Sequence, residues 1–94
     1  MMIIGTAQIK LGANWVHSLK EKRMIVKSII GKVKNKFNVS IAEVDNQDYH
    51  QTISLGIACV SSERKHADEM IQHVINFIEG NTEAVLENVN VEIL

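Results

Sequence analysis

The chain has no proline, a single cysteine, and only one tryptophan, one tyrosine and two phenylalanines among 94 residues. Each scarcity excludes something. Cys59 has no partner for an intramolecular disulfide, and without a C-x-x-C pair the chain is not a metal-transfer domain. A lone thiol suits a reducing compartment, so a cytoplasmic location is expected. No apolar run approaches the roughly 20 residues that cross a bilayer, so no membrane association is expected. No basic segment precedes an apolar run and a small-residue cleavage site, so secretion is not expected either. No proline, linker or low-complexity stretch interrupts residues 1–94, which read as one domain large enough for a single small core.

Charge is not scarce, but it is segregated. Net charge is −1. Between Ser18 and Phe37 lie Lys20, Lys22, Arg23, Lys27, Lys32, Lys34 and Lys36 against Glu21 alone. From Asn38 onward only Arg64 and Lys65 stand against ten acids. Such a dipole orients partners, although the overall balance falls short of a general nucleic-acid binder.

Residues 2–11 alternate, with Ile3, Ala7, Ile9 and Leu11 on one face and Ile4, Thr6, Gln8 and Lys10 on the other, the pattern of a half-buried strand. Gly12-Ala13-Asn14 breaks it. Ser18-Leu19-Lys20-Glu21 is a capping box, the hydroxyl accepting from the Glu21 N–H and the carboxylate from the Ser18 N–H. The helix it opens carries Leu19, Val26, Ile29, Ile30, Val33 and Phe37 as one apolar stripe, with Asn38 to end it. Val39–Asp45 and Thr52–Val60 read as a hairpin around "NQDYH", with Ile53, Leu55, Ile57 and Cys59 facing the core. Ser61-Ser62 offer caps for a second helix. Its buried face is Ala67, Met70, Ile71, Val74, Ile75 and Ile78, and Gly80 is its stop. "ENVNVEIL" is a last strand. The order β-α-β-β-α-β with right-handed crossovers predicts an α+β ferredoxin-like sandwich: an antiparallel sheet in order 4-1-3-2, both helices on one face.

That topology gathers the first β–α loop, the hairpin turn and the last α–β loop at one end. Trp15, His17, Lys20, Lys22 and Arg23 are therefore expected near Asp45, Asp48, Tyr49 and His50. Helix N–H groups and cations together suit an anion. Lys20, Arg23, Lys27 and Lys34 also fall within about 60° on a helical wheel, a stripe able to follow a nucleic-acid backbone. The competing reading is a solvated lysine face whose start is neutralised internally by Glu43, Asp45 and Asp48. Trp15 is either a lid over the core end or a stacking contact.

Enzymatic readings fare poorly. An acylphosphatase would need an arginine between Gly12 and His17, and none is there. Two histidines and two carboxylates (His17, His50, Asp45, Asp48) are more often surface residues than metal ligands, and His66 and His73 lie about 10.5 Å apart along a helix. No catalytic residue, metal or cofactor is expected. The open sheet face (Ile4, Thr6, Gln8, Thr52, Ser54, Gly56, Ala58) has no aromatic for stacking bases as RNA-recognition domains do. It suits either a second sheet, hence a homodimer, or simple solvation.

"HSLKEKRMIVKSII", "FNVSIAEVDNQD" and "LGIACVSS" together resemble the YlxP-like bacterial family over essentially the whole chain. The resemblance implies a ferredoxin-like fold and no established catalytic residue. It also implies gene neighbours among translation and ribosome-assembly factors, hence structured RNA or a ribosomal subunit as partner. Its motif positions are Ser18, Leu19, Lys20, Lys22, Arg23, Glu43, Asp45 and Asp48, the same rim. The expectation is a non-enzymatic RNA- or ribosome-associated protein using Lys20, Lys22, Arg23, Lys27 and Lys34. The alternative is a homo-oligomeric protein-interaction module with no nucleic-acid role.

Overall fold

The computed structural model describes residues 1–94. In chain order it contains β1 (Ile3–Gly12), α1 (Leu19–Lys36), β2 (Ser40–Asp45), β3 (Thr52–Ser61), α2 (Arg64–Gly80) and β4 (Val85–Ile93). All neighbouring strands are antiparallel in the order β2-β3-β1-β4, the expected 4-1-3-2 read from the other edge. The odd-numbered residues of β1 and β3 face the helices. Ile9, Leu11, Ile53 and Leu55 pack with Val26, Ile29 and Val33 of α1 and with Ala67, Ile71, Val74 and Ile78 of α2 in one core.

At Gly5 the helix α2 lies close against β1. A Cβ there would lie 3.0 Å from Cys59 Sγ, 3.1 Å from Ile71 Cγ1 and 3.2 Å from the Ala67 carbonyl. The absent side chain lets the helix sit down on the sheet. At the far end of the helices Phe37 and Phe77 meet edge to face, centroids 5.4 Å apart, with the Lys36 ammonium over both rings.

Element ends differ from the sequence reading in instructive ways. Ser18 caps α1 as expected, its Oγ accepting from Glu21 N at 3.1 Å. The return bond, however, runs from the His17 N–H to Glu21 Oε1 (3.2 Å), one residue upstream of the Ser18 N–H. α1 stops at Lys36 rather than at Asn38: Phe37 turns extended and its N–H still reaches the Val33 carbonyl. Neither serine caps α2. Glu63 occupies that position, and Ser61 Oγ accepts the Glu63 N–H at 3.1 Å. Gly80 is the last helical residue and needs no left-handed turn. β4 begins two residues earlier than "ENVNVEIL", because Val85 and Leu86 pair with Gly12 and Leu11 beyond a bulge.

Candidate anion-binding rim and the lysine beneath it

The three loops do meet at one end of the sheet. Ala13 N–H donates to the Gln51 carbonyl (2.9 Å). The Gln51 Nε2 amide then donates to the carbonyls of Asn14 (3.0 Å) and Val16 (3.1 Å), tying the β1–α1 loop to the hairpin turn. Trp15, 38% exposed, lines a groove with Met24, Ile25 and the Asn81–Glu83 stretch of the α2–β4 loop.

One cation of the rim is not on the surface at all. Lys22 is fully buried, the only charged residue in the interior. Its ammonium donates to the backbone carbonyls of Asn46 (2.7 Å), Gln47 (3.2 Å) and Thr52 (3.2 Å). Glu43 Oε2 lies 2.8 Å away as its ion partner. Four oxygens share three N–H bonds, and the carboxylate is the one held by charge rather than by hydrogen-bond geometry. The expectation that Lys22 contacts an external anion is therefore corrected: its head group is inside, saturated and already neutralised.

The physical reason is its place on the helix. Residues 22, 26, 29 and 33 form the buried stripe of α1, so a lysine stands where the periodicity calls for an apolar side chain. Its stem packs like one, and its head reaches the hairpin turn that closes over it. The turn is shaped for this. Asn46 takes the left-handed conformation (φ 58°), the one non-glycine to do so. Its side-chain Nδ2 donates to Ser54 Oγ at 2.7 Å. Glu43 faces inward because it stands opposite Leu55, while Val44 bulges before Asp45 pairs with Ser54. The competing reading, internal neutralisation of the helix start, holds for Glu43; the sign that Lys22 is the cation concerned is its place on the apolar stripe, in register with Val26, Ile29 and Val33. Gln51 carried no signal of its own.

The other rim residues stay outside. Asp45 and Asp48 are exposed and pair with no cation, so internal neutralisation falls to Glu43 alone. Asp45 Oδ1 accepts the Asn46 N–H at 2.8 Å, and the Tyr49 N–H donates to the Asn46 carbonyl at 3.0 Å while its ring is exposed. His17 and His50 are exposed at the same end, and with the two aspartates they form no group of three metal-ligating side chains. Lys20, Arg23, Lys27 and Lys34 are all exposed on α1, and none has an acid within 4.0 Å. They extend over about 21 Å of helix.

The sheet's other face carries Ile4, Thr6, Gln8, Thr52, Ser54, Gly56 and Ala58, as expected, and no helix packs on it. Cys59 is buried, its Sγ 3.9 Å from the Ala67 carbonyl. No helix is long and apolar enough to cross a membrane.

Comparison with known proteins bears on the family and the fold. Residues 4–91 match the family model described as "Protein of unknown function (DUF503)". A Bacillus subtilis (strain 168) relative, "Uncharacterized protein YlxP", is 45% identical over 78 residues, 83% of this chain and 85% of the relative. Among solved structures, the de novo designed protein LFR1 1 with ferredoxin fold superposes with a TM-score of 0.59 at 17% identity, over 98% of this chain and 86% of the other. The designed protein Foldit4 gives 0.54 at 12% identity, over 100% and 97% of the two chains. At those identities the likeness is one of fold.

Proposed function

The chain belongs to the DUF503 family, and from that premise we propose a non-enzymatic cytoplasmic protein that binds structured RNA through the exposed face of α1. One observation carries the reading. The single ion pair of the molecule is spent inside, on Lys22, which leaves Lys20, Arg23, Lys27 and Lys34 aligned on one face without acidic partners. A cationic stripe with no internal counter-charge is complementary to a line of phosphates. The Lys22 contacts tie the start of that helix to the hairpin turn, which sets the direction the stripe faces.

The magnitude of the interaction is modest. Four phosphate contacts give a salt slope of roughly −2.8, or about 50-fold weaker binding between 50 and 200 mM salt. Affinity of that size suits a protein that recognises a shaped surface such as folded RNA in a ribosomal subunit. The test is co-sedimentation with small ribosomal subunits across that salt range, beside the Lys20→Glu/Arg23→Glu/Lys27→Glu variant checked for folding by circular dichroism. Salt-sensitive pelleting lost in the variant is expected. Pelleting that ignores both salt and the variant would favour the second reading, a protein-interaction module, for which the uncovered sheet face speaks.

A further inference from the structure

The two edges of the sheet are protected to different degrees. β2 has six residues and an irregularity at Val44, next to the exposed Asp45. Short length, a bulge and charge are the usual devices against edge-to-edge pairing. β4 has nine residues. Its bulge lies near its start, and from Asn88 to Ile93 it follows β1 residue for residue. It contains neither lysine nor proline.

Ile4 and Leu94 exchange both backbone hydrogen bonds, at 3.3 and 2.7 Å. Alternation along an antiparallel ladder then turns the N–H and C=O of Asn90 and Glu92 inward to β1, and those of Val89, Val91 and Ile93 outward. No strand lies beyond. Arg64 covers the Ile93 carbonyl, its Nη1 3.1 Å away. The outward groups of Val89 and Val91 remain open, and Val89 is 39% exposed.

We propose that this edge is where two copies of the chain meet, β4 against β4, antiparallel about a twofold axis, joining two four-stranded sheets into one. The edge is its own complement. With the axis at Asn90, Val89 stands opposite Val91 of the partner on the helix side. On the other side Asn90 meets its own copy and Asn88 meets Glu92 of the partner. Opposed residues keep to one face, and from Asn88 to Glu92 no acid faces an acid: valine meets valine, and each Glu92 meets an amide. A strand of another protein would need the same pattern; a second copy has it by symmetry. The proposal is independent of the RNA reading, since it uses the sheet edge opposite β2, the strand α1 packs against, and none of the stripe's residues.

The interface is small, so association belongs to the weak class and is measured by sedimentation velocity from micromolar to millimolar chain, with amide exchange by NMR on the same samples. Mass is expected to double with concentration as the Val89 and Val91 amides become protected, while the inward Asn90 amide is protected throughout. Val89→Lys sets an ammonium against the Val91 position of the other copy and brings the two introduced lysines diagonally across the axis, which weakens association by at least about tenfold. Ala58→Arg, on the open sheet face, leaves association intact. A mass that stays that of one chain at millimolar concentration overturns the proposal. So does a dimer in which the Val89 and Val91 amides still exchange freely, or one abolished by Ala58→Arg and kept by Val89→Lys. The exchange readout on the unaltered chain stands even if a variant fails to fold.

Discussion

Replacing Lys22 with methionine keeps most of the stem and removes the charge, which isolates what the ammonium contributes. Three carbonyls lose their donor, and each buried, unsatisfied acceptor costs about 1–3 kcal/mol. Glu43 loses its ion partner, and breaking a buried pair from one side costs about 3–5 kcal/mol. Those terms are not summed. The Glu43 side chain is 17% exposed, so water reaches it, and the turn carbonyls recover some water after a small shift. The low end of the range, about 3 kcal/mol, is the expected net loss, which lowers the melting temperature by roughly 12–24 °C for a domain of this size. Urea unfolding of Lys22→Met, Glu43→Gln and the double variant measures it. The double variant is expected to cost less than the sum of the singles by about 1 kcal/mol or more, since each change removes the same contact. Lys20→Met, two residues away on the solvent side of the helix, is expected to stay within about 0.5 kcal/mol of the parent. A loss below about 1 kcal/mol for Lys22→Met, additive with Glu43→Gln, would refute the reasoning, because it would mean that the pair is solvated and the turn does not depend on it.

Two further outcomes follow from local geometry. Gly5→Ala puts a methyl about 3 Å from backbone and core atoms of α2 and β3. That overpacking is expected to cost about 1–3 kcal/mol in chemical denaturation, whereas no change would mean that α2 is free to lift. Ser18→Ala removes the acceptor of the Glu21 N–H and is expected to cost about 1 kcal/mol. Its readout is faster amide exchange confined to the first turn of α1, while the buried Lys22 anchor keeps the helix in place.

The periodicities of the chain, read alone, determined the element order, the inward faces of β1, β3 and both helices, and the strand order. That is because side-chain burial repeats every two residues in a strand and every three to four in a helix, and right-handed crossovers leave few arrangements for six such elements. They also determined that the first loop, the hairpin turn and the last loop share one end. Only the tertiary structure decided which cations at that end are surface and which is core. Seven lysines and arginines between Ser18 and Phe37 are chemically alike in sequence. Their roles separate once α1 is docked, when the stripe through Val26, Ile29 and Val33 carries Lys22 under the turn and the Val44 bulge leaves Glu43 opposite Leu55 and facing it. The free edge of β4 was decided in the same way, since which backbone groups point outward depends on the register against β1 and not on the residues of β4 alone.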